Sequence, residues 1–118
     1  LSLTSENDLT LPVYFRFEAE QDLEEATGWY ETQLTGLGQQ FLDEVLLAIR
    51  SIREQPTMYP LVGREARRAL IRRFPFGIYY RTEKDAIVVI AVMMAAEVLG
   101  AGKQEHNKSL QPTRYARG

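Results

Sequence analysis

The chain contains no cysteine and one histidine, His106. The first absence removes disulfides, thiolate nucleophiles and sulfur-bound metal centres. The second removes any site that needs two imidazoles. No apolar run approaches the roughly 20 residues of a membrane-spanning helix, so no membrane association is expected. A phosphate-binding glycine loop, a Ser-His-Asp set and a metal-spaced cluster are also missing. Gly36 and Gly38 imitate part of a dinucleotide pattern, but they follow a helical stretch rather than a strand. No cofactor and no metal are therefore expected, and the cytoplasm is the expected location.

What is present is an ordinary globular balance, 45% hydrophobic and 25% charged over 118 residues, enough for one domain with one core. The net charge of −2 conceals a strong asymmetry. Residues 1–44 carry ten acids against one base, whereas residues 45–84 carry nine bases against three acids. Either the basic half faces an anionic partner, or helix acids and strand arginines face each other or water.

The chain is organised around Ala66 to Val92. Phe76, Ile78 and Tyr80 alternate with Tyr79 and Arg81, the period of a strand with one buried face. Thr82 to Asp85 is a polar turn. Ile87 to Met94 is apolar without interruption, which predicts a central strand covered on both faces. Upstream, Pro12 opens a strand with Val13, Phe15 and Phe17 on one side. A helix is predicted from about Ala19 to Leu34, with Leu23, Ala26, Tyr30 and Leu34 as its stripe and acids crowding its first turns. Gly28 weakens that helix or admits a close neighbour, and Gly36 suits a left-handed cap. A second helix, from Leu37 or Gly38 to Glu54, carries Leu37, Phe41, Val45, Ala48 and Ile52, widened by Leu42, Leu46 and Ile49. The short link makes the two an antiparallel hairpin. Gln55 to Gly63 is a loop, and Ala95 to Leu99 is a short helical piece.

The predicted order is β-α-α-β-β-β, an α+β fold in which an antiparallel sheet packs against a helical hairpin. Its core pairs Leu23, Tyr30, Phe41, Val45 and Ile52 with Phe15, Ile78, Tyr80, Val88 and Ile90. Residues 1–12 are read as an N-terminal extension, 13–99 as the domain and 100–118 as an irregular tail.

Arg64, Arg67, Arg68, Arg72 and Arg73 fall within ten residues. Guanidinium forks match phosphate and carboxylate oxygens, and Tyr79 and Tyr80 offer faces for stacked bases. The same residues also suit pairing with helix acids and core filling; Tyr80 reads as core, while Tyr79 and Arg81 stay open. Glu24, Glu25 and Glu31 read as a solvated helix face, and His106 as a surface residue. Trp29 either covers a sheet edge or meets a partner.

An ordered set of segments resembles the RelE/ParE superfamily of toxins from bacterial type II toxin–antitoxin pairs, often called plasmid stabilisation proteins. The carriers are Trp29-Tyr30-Glu31, Gly36-Leu37-Gly38 before Phe41-Leu42, Ile52, Pro56-Thr57-Met58-Tyr59-Pro60, Arg67-Arg68, Arg73-Phe74-Pro75-Phe76-Gly77-Ile78-Tyr79-Tyr80-Arg81, and Ile90-Ala91-Val92. Similar members continue with x-His-x-x-Arg; here Met94 replaces the histidine and Glu97 the arginine, so the C-terminal motif is degenerate. Methionine cannot move a proton near neutral pH, and a glutamate repels phosphate.

The resemblance implies a growth-regulating toxin that acts by binding a cognate antitoxin and DNA gyrase, without being an enzyme. A first alternative is a ribosome-dependent mRNA endonuclease, with catalytic candidates Arg67, Arg73, Tyr79 and Arg81. A second is an inactive relative that binds only antitoxin. The expected partner-binding residues are Arg67, Arg72, Arg73 and Arg81.

Overall fold

The computed structural model describes residues 11–95. The readings placed on residues 1–10 and on 96–118, including Glu97, His106 and most of the short helical piece, lie outside the described residues.

The elements run β1 (Val13–Phe15), α1 (Phe17–Gln33), α2 (Leu37–Glu54), β2 (Arg67–Leu70), β3 (Phe76–Glu83) and β4 (Ala86–Met94). The strands form one sheet in the order β1-β4-β3-β2. The α+β order is as predicted, and the β2-β3-β4 meander is antiparallel. The sheet as a whole is mixed, because β1 pairs with β4 in parallel. Tight turns fix the direction of consecutive strands. No turn joins β1 to β4, so its direction is set by the path of the hairpin that separates them.

The hairpin covers one face of this sheet. Phe41, Val45 and Ile52 of α2 meet Ile78 and Tyr80 of β3 and Val89 and Val92 of β4 in a single buried cluster. Tyr30, Phe41, Phe74 and Phe76 form its aromatic centre, with ring centroids 4.9 to 6.0 Å apart.

Several packing expectations need correction. The buried stripe of α1 is Ala19, Asp22, Ala26 and Tyr30. Leu23 is half-buried, and Leu34 is 61% exposed because the helix ends before it and the chain there is extended. Phe17 opens the helix instead of ending the strand and is 66% exposed. Leu46 does not widen the stripe of α2 but points outward. A Cβ on Gly28 would meet nothing within 4 Å, so this glycine admits no close neighbour.

β4 is not covered equally on both faces. Ile87, Val89 and Val92 are buried, while Val88, Ile90, Ala91 and Met93 are half-buried. The pairing register slips between Tyr79 and Tyr80: Tyr80 opposes Val89, Tyr79 opposes Ala91, and Ile90 is the extra residue. Three residues apart, Val89 and Val92 would ordinarily lie on opposite faces; the bulge lets both face the helices. Val88 is thereby turned to the other face and Ile90 falls at the bulge, so neither forms the core contact expected of it.

The aromatic core also links stability to pH. Burial pushes the Tyr30 hydroxyl up to about 12. Burial does the same for Tyr80, with nearby Tyr59 adding to the effect and the Arg67 cation opposing it, again to about 12. The Tyr80 hydroxyl donates to the Pro56 carbonyl at 2.7 Å, a bond that ionisation removes. An unfolded tyrosine releases its proton near pH 10, before the folded one does, so rising pH favours unfolding from that point. Stability is expected to hold up to about pH 10 and to fall between about 10 and 12. Urea midpoints measured across that window check this, and Tyr80→Phe should flatten the fall. An unchanged profile in the variant would reject Tyr80 as a source of the dependence.

Candidate functional site

The sheet face away from the helices carries the polar candidates. The cross-strand pairs Arg68–Tyr79 and Leu70–Gly77 lie on it, as do Tyr79–Ala91 and Arg81–Val88 and, through the β1 pairing, Tyr14. Gly77 has no side chain, and the Arg68 stem uses that space: a Cβ at Gly77 would come within 3.0 Å of the Arg68 Cγ. The result is a half-exposed apolar floor crossed by arginine stems, with Tyr14 and Leu70 exposed at opposite sheet edges.

The sequence cluster of arginines is not a cluster in space. Arg67 opposes Tyr80, so it belongs to the helix side of the sheet, and its Nη1 donates to the Tyr59 carbonyl at 2.6 Å. Arg72 and Arg73 sit in the β2–β3 turn. Arg72 is exposed. Arg73 is turned back onto α2, with Nη2 2.6 Å from Gln40 Oε1 and Nη1 3.4 Å from Glu44 Oε2. Its guanidinium also lies 5.5 Å from the centre of the Phe74 ring. These contacts hold a left-handed backbone, φ 68°, that costs a non-glycine residue about 1–2 kcal/mol. Arg81 is on the outer face, where Nε and Nη2 both donate to Glu83 Oε2, at 3.2 and 2.9 Å.

Tyr79 is the only one of the four catalytic candidates that shares a face with Arg81. Arg67 and Arg73 are bound elsewhere. Met94 opposes Phe76 and packs against the core, so it too lies on the helix side. A histidine at this position would face the aromatic cluster, not Tyr79.

Sequence reading missed two residues that build the scaffold. Glu31, read as a solvated acid, accepts from the Gly36 amide at 3.0 Å and the Gly38 amide at 2.9 Å. Its carboxylate thus caps the N-terminus of α2, where the helix dipole favours negative charge. Gly36 takes φ 93° to make the turn. The two glycines five and seven residues after Glu31 were the available signal. Asp22 is 4% exposed and accepts from the Val92 amide at 3.0 Å. Val92 lies on the part of β4 that runs past the three paired residues of β1, where α1 supplies an acceptor in place of a strand. The signal was its place between Ala19 and Ala26 at helical spacing.

Among the described residues, no group of three or more His, Cys, Asp or Glu is placed to hold a metal ion. Nor is any described helix long and apolar enough to cross a membrane.

Comparison with known families matches the chain to the ParE toxin of the type II toxin–antitoxin system parDE, over residues 13–99. The chain belongs to the ParE toxin family. A search of curated proteins found no match. Among solved structures, a chain described as the chromosomal ParDE toxin–antitoxin system from P. aeruginosa is similar, with a TM-score of 0.66 at 12% identity. The alignment covers 74% of this chain and 98% of that one. At that identity the likeness bears on the fold, and it agrees with the helical hairpin on a four-stranded sheet. In this ParE-family chain, Met94 stands on the helix side of the sheet beside the aromatic core.

Proposed function

We propose that this chain is the toxin half of a type II pair and acts by binding proteins: a cognate antitoxin that neutralises it and, as target, DNA gyrase. The observation that carries binding over RNA cleavage is the dispersal of the candidate catalytic groups. Ribonuclease chemistry needs a proton donor, a proton acceptor and cations converging on one phosphate. Here Arg67 and Met94 lie on the helix side, Arg73 is tied to α2, and Arg81 is held by Glu83. Tyr79 alone beside Arg81 is a poor acid–base set. The outer sheet face instead offers what a binding surface needs, apolar floor and arginine anchors together.

The test uses the purified full chain in two assays, DNA supercoiling by gyrase and mRNA cleavage by programmed ribosomes. Supercoiling should be inhibited, and the antitoxin encoded beside the gene should relieve the inhibition. Cleavage should lie at least about a hundredfold below that of an active ribosome-dependent toxin, the scale of losing one group that stabilises transition-state charge. Cleavage at rates like those toxins would overturn the reading and make Tyr79 and Arg81 the first residues to replace. For antitoxin docking, Arg72→Glu and Arg81→Glu should each weaken binding and reduce its salt dependence. Unchanged affinity in both would reject these arginines as anchors.

A further inference from the structure

The outward side of α2 is unlike the rest of the hairpin surface. Gln39, Asp43, Leu46, Leu47, Arg50 and Glu54 are all exposed, and at 3.6 residues per turn they fall within an arc of about 100°. Leu46 is 62% and Leu47 49% exposed, a high value for leucine in a helix that buries Phe41, Val45 and Ile52 on its other face.

The order of groups along this stripe has a centre of symmetry. Leu46 and Leu47 flank the midpoint. Asp43 and Arg50 stand at equal distances from it with opposite charge, about 10 Å apart along the axis. Farther out, Gln39 and Glu54 are again equidistant, while within one chain the Gln39 Nε2 donates to Asp43 Oδ1 at 3.0 Å. A segment of this kind is complementary to itself turned end over end. We infer that α2 is an isologous self-association surface, whose occupant is a second copy of this chain packed antiparallel through Leu46 and Leu47.

In that arrangement Leu46 meets the partner's Leu47, and Leu47 the partner's Leu46, beside the two-fold axis. Asp43 meets the partner's Arg50, and Arg50 meets the partner's Asp43, so one rotation makes both pairs. A parallel arrangement would set Asp43 on its own copy and Arg50 on its own copy. The charges therefore specify direction, and the leucines supply the apolar area. A contact built from one helix face is smaller than a standard interface, so a weak, concentration-dependent dimer is expected. Docking of the antitoxin on the outer sheet face would leave α2 free, since the two surfaces lie on opposite sides of the fold.

Sedimentation equilibrium of the purified full chain over a wide concentration series tests this, with circular dichroism to show that each surface variant remains folded. A reversible monomer–dimer equilibrium is expected. Leu46→Glu with Leu47→Glu should leave monomer alone. Asp43→Arg or Arg50→Asp turns two attractive pairs into two repulsive ones and should each weaken the dimer by about tenfold or more. The double replacement Asp43→Arg with Arg50→Asp should restore it, because the self-complementary pattern is rebuilt in reverse. A chain that is monomeric at every concentration overturns the inference, as does a dimer indifferent to the single reversals or not rescued by the double one. If the leucine variant loses antitoxin binding while the unaltered chain is monomeric, the face belongs to the antitoxin and the inference fails.

Discussion

Phe41→Ala should lower the unfolding free energy by about 3–5 kcal/mol, the range for truncating a buried aromatic ring. Phe41 has no exposed surface, and its ring lies 5.1 Å from that of Tyr30, 5.2 Å from Phe74 and 5.3 Å from Phe76. Those three come from α1, the β2–β3 turn and β3, so the ring joins three separate parts of the chain. Rigid aromatic neighbours collapse poorly into a void, which argues for the upper part of the range. Domains of this size are stable by about 5–15 kcal/mol, so the variant should lose a large share of the total. Urea denaturation measures it, with Leu46→Ala as the control that should move stability by no more than about 0.5 kcal/mol. A loss below about 1 kcal/mol for Phe41→Ala would mean that the α2 register is wrong.

Two single-methyl additions in the hairpin should act in opposite directions. Gly38→Ala should destabilise by about 1–3 kcal/mol. Its Cβ would lie 2.8 Å from the Thr27 carbonyl oxygen and 2.9 Å from Glu31 Oε1. The first is backbone of α1 and cannot step aside. The second is the carboxylate that caps α2, so relief by moving Glu31 sacrifices the bonds to the Gly36 and Gly38 amides. Gly28→Ala adds the same methyl to open space in the middle of α1 and should stabilise by about 0.5–1 kcal/mol. Thermal unfolding of both variants checks the contrast. If Gly38→Ala were neutral, the close approach of the helices at that residue would be mistaken.

The helical hairpin and the meander were legible because each rests on a local period. Phe76, Ile78 and Tyr80 alternate with Tyr79 and Arg81, and the structure buries the first three. What was not legible depends on partners far away in the chain. The parallel pairing of Val13 with Ile87 crosses both helices, and no feature near Val13 announces it. Asp22 reads as one more acid of an acidic helix until the amide of Val92 appears above it. The arginines misled for the converse reason. Nearness in sequence suggested one basic face, but alternate strand residues point to opposite sides, and the turn at Arg73 points back to α2. Candidate chemistry was therefore harder to read than fold: it needs side chains to converge, which periodicity alone does not report.

The extra residue at Ile90 gives β4 one residue more than β3 needs opposite it. Every residue from Val88 to Val92 is apolar, so exchanging one for another keeps the strand greasy on both sides. Removing Ile90 would leave Val89 and Val92 two places apart, so plain alternation would hold both on the helix face and Met93 on the outer one. Adding a residue is different: without a second bulge, it would turn the end of the strand inside out. The strand therefore has a residue to spare but none to gain, and a one-codon insertion there would do more harm than a one-codon deletion.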